Sequence, residues 1–350
     1  MLKKIYQKFI SDQDKNYLQQ KLYLNDDSSF VLIENNNHKI NKNSNISKSS
    51  KNIKNAFSLI EISIVILIIG ILISGVTTFS RLVKQMKLTS IKQLTYSSAV
   101  PAIKGLSLWL ETSLDGSVSG VSNPLSPDEN EKIIAWNDIN PQSSSRIFVT
   151  QTTDAQRPIY TTIGTINELP ALKFDGSQFL SSIKASGGNI PLAQGDDSFT
   201  MIAVWQTNIN SGVNQVVIDQ NSTLETANTR AGILLTLFGT YGFCGQANDY
   251  WTCQSYLTKT PYISAITVAD NGAVKIYTNS TTANCSSTIN TTNLNISDQG
   301  FYVGVKGSST GTERMNGIIQ EAIVYDRVLS DDELRDVLRY LSKKFTIKIN

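Results

Sequence analysis

Glu61 is a carboxylate in an apolar segment, and such a group needs a cationic partner. It is the only ionisable side chain in the 23 residues from Phe57 to Phe79. A carboxylate in a membrane-spanning helix costs roughly 2.5–3.5 kcal/mol at the bilayer centre and less near an end, so such a group usually has a function. Cleavage of the Ala56–Phe57 bond would create a free α-amine four residues before Glu61. The amine of a neighbouring subunit could then pair with this carboxylate.

The segment that holds Glu61 has the length and composition of a membrane-spanning helix. As an α-helix it would extend about 34 Å, against a hydrocarbon core of about 30 Å. From Ile62 to Ile73 only Ser63 and Gly70 interrupt the apolar run. A helix in a soluble core would show polar residues at every third or fourth position. We therefore expect a transmembrane helix rather than a buried core helix.

Residues 54–79 resemble the processing site of type IV prepilins and pseudopilins. The likeness rests on a basic edge, the small residue Ala56, then Phe57, a Ser-Leu-Ile tripeptide, Glu61 and the long apolar run. It implies that a prepilin peptidase cuts before Phe57, that the new N-terminus is methylated, and that Glu61 assists assembly with other pilin-like subunits. Ala56 stands where glycine is usual, and the leader is longer than is common. The alternative is an ordinary signal anchor, which leaves this order unexplained.

The charge distribution predicts the orientation of the chain. Residues 1–56 carry ten lysines and five acidic residues, a net +5, so the remainder of this +2 chain carries −3. The lysine excess before the span places the N-terminus in the cytoplasm and the C-terminal body across the membrane. Residues 35–55 are Asn/Ser/Lys-rich without Phe, Tyr or Trp, which indicates a disordered leader and no nucleic-acid partner. The prepilin resemblance implies a single-pass protein of the bacterial inner membrane, with its head periplasmic or on an extracellular filament.

The body of the chain lacks the residues for common hydrolytic chemistry. The only histidine, His38, precedes the span, which excludes Ser-His-Asp, Cys-His and His-containing zinc sites from the body. Sandwich glycosidases need two carboxylates about 5–10 Å apart, but no predicted strand carries two acids on one face, and Glu321 is single. We therefore expect no enzymatic activity and no cofactor.

Four acidic residues in predicted loops could contribute oxygen ligands to a Ca²⁺ site, although they define no ligand set: Asp175, Asp196, Asp197 and Asp219.

Three cysteines lie on the expected outer side of the membrane, where a disulfide is permitted. Three single pairings are possible, and we favour Cys244–Cys253 because nine residues suit a loop staple. The alternative is free buried thiols. Two cysteines separated by eight residues, with Cys285 distant and no histidine in the body, do not match the spacing of zinc ligands.

Aromatic residues surround the loop between Cys244 and Cys253. Tyr241, Tyr250 and Trp251 could form a platform that stacks on a sugar ring. The alternative is a structural cluster that covers an edge of the sandwich.

The elements that position these residues follow from periodicity. After Phe79 the helix should continue as an amphipathic stem to residue 100, because Pro101 disfavours helix in the preceding residue. From residue 104 to 350, short β-rich runs separated by turn residues predict an antiparallel sandwich. The expected strands are Phe199–Trp205 and Gly232–Phe238, both buried, a hairpin of Tyr262–Val268 and Ala273–Thr278 around Asp270-Asn271-Gly272, and the half-buried Phe301–Val305 and Ile318–Tyr325. A capping box at Ser330 and Glu333 starts a final helix.

The body also resembles laminin-G-like members of the concanavalin A-like jelly rolls. The likeness is spread over residues 106–345, in the segments Leu108–Leu110, Ala135–Asp138, Arg157–Tyr160, Ala171–Gly176 and Glu321–Leu341. It implies two curved antiparallel sheets, and binding of a glycan or a protein in many members. The fold class expected is mainly β, with a jelly-roll head on a long N-terminal α-helix.

Together these features predict three parts: a leader 1–56, a transmembrane and stem helix 57–100, and a head 104–350. The expected function is a minor pilin or pseudopilin that displays its head, because a bulky head would crowd a repeating shaft. The alternative is a carbohydrate-binding or adhesive module on a membrane anchor that does not assemble.

Overall fold

The computed structural model describes residues 58–195, 198–210, 212–221, 226–289, 294–307 and 312–350. The predicted cleavage residues Ala56 and Phe57 lie outside these ranges, as do Asp196 and Asp197. The chain divides into two compact units, Met1–Ile66 and Leu67–Asn350. The described part of the first unit is the beginning of helix α1 (Leu59–Tyr96), and the second unit holds the rest of α1, two β-sheets and helix α2 (Asp331–Phe345).

Helix α1 changes character along its 38 residues. The large apolar side chains from Leu59 to Phe79 are all between 42% and 84% exposed. Near its C-terminal end, Ile91 and Thr95 are buried against the head. Pro101 lies in a short 3₁₀ helix after the end of α1. One end of the helix therefore packs on the head, and the other end presents apolar surface to its surroundings.

Among the described residues, seventeen strands form two antiparallel sheets, in agreement with the predicted sandwich. The first sheet contains β1 (Leu106–Glu111), β5 (Ile159–Thr161), β6 (Ala171–Asp175), β8 (Phe199–Thr207), β13 (Tyr262–Val268), β14 (Ala273–Thr278), β15 (Cys285–Thr288) and β17 (Asn316–Tyr325). The second contains β2 (Val118–Gly120), β3 (Ile133–Asn137), β4 (Phe148–Thr150), β7 (Leu180–Ile183), β9 (Gln215–Asn221), β10 (Ala231–Leu235), β11 (Thr240–Cys244), β12 (Tyr250–Ser255) and β16 (Gly300–Val303).

The strand order places β15 and β12 at the ends of the two sheets. The first sheet runs β15-β14-β13-β8-β17-β6-β5, and β1 pairs with the second half of β17 beyond β6. The second sheet runs β12-β11-β10-β9-β16-β7-β4-β3-β2. The register of β1 on β17 places Glu111 directly opposite Glu321.

Two hydrophobic layers hold the head together. One lies between the sheets and contains Trp136, Trp205 and Phe243 among many others. The second covers the outer face of the first sheet, where α2 and the end of α1 pack. Strand β17 contributes to both layers, with Ile319 in the first and Ile323 in the second. The prediction that this strand is half-buried is therefore wrong, because helices cover its second face.

The local sequence signals are confirmed where short-range geometry decides the structure. The hairpin β13–β14 has the predicted bounds, and Gly272 takes the positive φ of +83° that its turn requires. Ser330 caps α2: its hydroxyl accepts from the Glu333 N–H, and the Glu333 carboxylate accepts from the Ser330 N–H at 2.9 Å. The run predicted from Gly232 forms the shorter strand β10, followed by an exposed turn.

Candidate functional site

The side chains of Ser58 and Glu61 cap the first turn of α1. The Ser58 hydroxyl accepts a hydrogen bond from the Ile60 N–H at 3.3 Å, and the Glu61 carboxylate accepts from the Ser58 N–H at 2.9 Å. These bonds satisfy N–H groups that a helix N-terminus otherwise leaves without partners. Glu61 therefore has a structural role within a single chain, which the sequence analysis did not foresee although Ser58 and Glu61 have the required spacing.

The apolar surface that follows Glu61 needs an apolar environment. Within the described residues, α1 is the helix that is long and apolar enough to cross a membrane. Length and composition are the basis for that statement, and a signal sequence meets the same criterion. A contiguous apolar surface of this size on a soluble chain marks a contact with a membrane or with another protein.

A buried ionic network joins the end of α1 to the head. The Lys344 ammonium of α2 donates to Glu111 on β1 at 2.9 Å and to Glu321 on β17 at 2.8 Å. Tyr340 donates to Glu321 at 3.0 Å and lies 3.3 Å from the Thr95 hydroxyl of α1. All five side chains are buried. The network therefore ties α1, β1, β17 and α2 to one another.

Glu111 and Glu321 are an opposed pair of carboxylates that the sequence analysis missed, because it looked for acids along single strands and these two lie on neighbouring strands. Burial raises the pKa of Glu321 in spite of the neighbouring Lys344 ammonium. Glu321 also accepts from the indole N–H of Trp109 at 2.8 Å. Both carboxylates are fully buried, and protein donors occupy them. A glycosidase pair must face bound substrate on both sides of the scissile bond, and this arrangement leaves no space for a sugar.

The predicted aromatic platform is only partly present. Tyr241 is fully buried, contacts Trp205 edge-on with 5.5 Å between ring centroids, and hydrogen-bonds Thr278. Its assignment to the platform is therefore wrong, because its side chain points into the layer between the sheets. Tyr250 is half-buried against that layer, and Trp251 is 37% exposed. Of the three predicted platform residues, Trp251 alone presents a substantial surface.

The predicted Cys244–Cys253 disulfide is also wrong. Cys253 on β12 is bonded to Cys285 on β15, with 5.9 Å between their Cα atoms. Cys253 packs against the layer between the sheets, whereas Cys244 is a buried free thiol in a separate cluster with Val216. Side chains alternate between the two faces of a sheet. Cys253 faces the layer between the sheets and Cys244 faces away from it, so the two thiols lie on opposite sides of the sheet. The observed bond links the end strands of the two sheets.

Loss of this disulfide should destabilise the head. Its loop spans 32 residues, for which the chain-entropy relation gives about 3–4 kcal/mol at 25 °C. We expect Cys253→Ser/Cys285→Ser to lower the free energy of unfolding by that amount in urea titrations followed by tryptophan fluorescence. Cys244→Ala, which keeps the bond, is the control. Peptide mapping of the non-reduced parent protein should give a Cys253–Cys285 linkage, and a Cys244–Cys253 linkage would contradict the assignment.

Asp219, one of the acids considered for Ca²⁺, is paired within the protein. Its carboxylate contacts Arg230 at 2.6 Å and accepts from the Gly307 N–H at 2.8 Å. Arg230 also contacts Glu313 at 3.3 Å. The described residues contain no group of three or more His, Cys, Asp or Glu side chains suited to a metal ion. Asp219 is therefore part of a structural ionic cluster.

A groove of about 420 Å³ lies between α1 and the head within the second unit. Arg81, Lys84 and Lys87 line its helix side, and Tyr160 and Glu168 line its head side. Lys92, the next cation along α1, is paired with Asp115 at 2.6 Å. Burial is the main cause that raises the pKa of Tyr160 to about 12, and the negative charge of Glu129 is the second cause. The hydroxyl therefore keeps its proton at neutral pH. The sequence predicts an amphipathic stem here and gives no sign of a groove against the head.

Comparison with known proteins does not assign the chain to a family. No protein-family model matches it, and no curated protein does. Among solved structures, a Trypanosoma rangeli sialidase in complex with sialic acid is similar over 69% of this chain and 33% of its own, at 16% identity and a TM-score of 0.45. A GH54 α-L-arabinofuranosidase is similar over 69% and 59%, at 13% identity and a TM-score of 0.47. The chain thus spans about a third of the sialidase and under two thirds of the arabinofuranosidase, and likeness this distant carries no argument about activity.

Proposed function

We propose that this protein is a pilin-like subunit, a minor pilin or pseudopilin. It is made as a single-pass precursor of the bacterial inner membrane, cut before Phe57 by a prepilin peptidase, and assembled through α1. The observation that carries the proposal is the order of the segment from Ala56 to Phe79. The exposure of the apolar residues of α1 supports it, because this surface requires a bilayer before assembly and other helices afterwards.

The head is proposed to be a laminin-G-like display domain without catalytic activity. Its two antiparallel sheets and C-terminal helix support this class. The occupied and buried carboxylates Glu111 and Glu321 argue against a hydrolytic site where these two acids oppose each other.

The processing step is tested by mass spectrometry of the protein purified from cells that contain a prepilin peptidase. We expect a mature chain that begins at Phe57, with a methyl group on its α-amine. Co-expression with an inactive peptidase is the control and should give the precursor. A chain that still begins upstream of Phe57 in the presence of active peptidase would contradict the proposal.

A second candidate is a carbohydrate-binding or adhesive module whose anchor does not assemble. The observation that favours it is the exposed Trp251 on an end strand that the disulfide holds in place. Aromatic faces of this kind stack on sugar rings. Glycan binding by the protein that Trp251→Ala abolishes, and that the exposed Phe238→Ala leaves intact, would support this candidate.

A further inference from the structure

The groove between α1 and the head begins where the apolar part of α1 ends. Arg81 lies two residues after Phe79, and Lys84 and Lys87 follow on the same side of the groove. At 1.5 Å per residue these Cα atoms are about 3, 7.5 and 12 Å beyond Phe79. The headgroup region extends roughly 5–8 Å beyond the hydrocarbon core on each side. Arginine and lysine side chains are long enough to bring their charges back into that region.

The charge of the groove suits an anion. Three cations line its helix side, and the single acid among its lining residues is Glu168, so the lining is net +2. Within the described parts of the chain, no carboxylate lies within ion-pair distance of Arg81, Lys84 or Lys87. Tyr160 and Thr162 line the opposite wall, where the Thr162 hydroxyl donates to the Glu129 carboxylate at 2.9 Å, so the donors that face an anion are the three cations of α1. Phosphate oxygens are the acceptors that such a set of donors binds best.

The groove also contains apolar surface. Leu88 of α1 and Leu169 and Pro170 of the head complete the lining. Its volume of about 420 Å³ is within the range of roughly 300–1,000 Å³ that is common for small-molecule sites. An occupant therefore needs a phosphate and an adjoining apolar part.

We propose that this groove binds the headgroup of an anionic phospholipid from the leaflet next to the head. The phosphate contacts the cations of α1, and the glycerol and the first carbons of the acyl chains lie against the apolar lining. The inference rests on the membrane insertion in the proposed function but does not depend on cleavage or assembly. It gives the precursor a specific lipid contact at the level where its helix leaves the bilayer.

The test places an environment-sensitive fluorophore in the groove. Gln85 lines the groove, is exposed, and makes no side-chain hydrogen bond among those described, so Gln85→Cys is a suitable attachment point. The buried Cys244 thiol and the disulfide cysteines should not react. The full-length protein in neutral detergent micelles is titrated with phosphatidylglycerol or with phosphatidylcholine. We expect a saturable spectral shift with phosphatidylglycerol alone.

Removal of the groove cations should abolish that response. In the labelled protein, Arg81→Gln/Lys84→Gln/Lys87→Gln should weaken the apparent affinity for phosphatidylglycerol roughly a hundredfold, since each cation near an anionic surface contributes about one factor of five. Because the lysine-rich leader is retained in every variant, its attraction for anionic lipid is the same throughout.

The matched control removes three exposed lysines from elsewhere on the head, as Lys104→Gln/Lys173→Gln/Lys275→Gln, and should respond like the parent. Equal shifts with both lipids, or an unchanged response in the groove variant, would overturn the proposal. Saturation by inorganic phosphate alone would show a phosphate site that does not select lipid, which also overturns it. Failure of the parent protein to enter micelles or vesicles would instead contradict the membrane anchor.

Discussion

Lys344→Met will lower the free energy of unfolding of the head by about 3–5 kcal/mol, the usual cost of removing one partner from a buried ionic network. The ammonium of Lys344 is the cation between Glu111 and Glu321, which face each other across two strands. Methionine fills a similar volume but leaves two buried carboxylates without their counter-ion. Urea unfolding of the full chain in detergent, followed by tryptophan fluorescence, measures the difference.

The neighbouring residue provides the control for that substitution. Lys343 precedes Lys344 on α2 and is exposed, so Lys343→Met should change stability by less than about 0.5 kcal/mol. The double variant Lys344→Met/Glu321→Gln should recover part of the loss, because it removes one of the two stranded charges. A Lys344→Met protein as stable as the parent would mean that the carboxylates are already neutral and that the ammonium is not their counter-ion.

This network also shows where prediction from the sequence ended. The capping box at Ser330 and the turn at Gly272 depend on residues within four positions of each other, and both were predicted. Glu111 and Lys344 are 233 residues apart. Their contact requires β1 to pair beyond β6 on β17 and α2 to cover the same face, and no local pattern specifies that arrangement. Glu321 therefore looked like an isolated acid on a half-buried strand.

The disulfide was missed for a related physical reason. Spacing along the chain favoured Cys244 and Cys253, but the alternation of side chains across a sheet sends them to opposite faces. Cys253 meets Cys285 because β12 and β15 are end strands of different sheets. The apolar run of α1 was easier to interpret, because composition alone determines that it must avoid water.

Glu61→Ala and Glu61→Gln should each reduce the assembled fraction of the protein at least tenfold if this carboxylate pairs with the α-amine of a neighbouring subunit. The two variants separate that role from the local one. Glutamine can still accept a hydrogen bond from the Ser58 N–H and preserve this cap of the first turn. It cannot supply the negative charge. Loss of assembly in both variants would therefore assign the effect to charge between subunits.

The measurement compares the protein in sheared, pelletable filaments with the protein that remains in membranes, in cells that contain the assembly machinery. Ser63→Ala is the matched control, because the Ser63 hydroxyl bonds only within α1, to the Leu59 carbonyl at 2.7 Å. If Glu61→Gln assembles normally while Glu61→Ala does not, the carboxylate acts as a helix cap and not as a partner for the amine. If neither substitution changes assembly or localisation, α1 is a plain anchor. The same apolar helix is compatible with all three roles, and the charge of one side chain at its first turn distinguishes them.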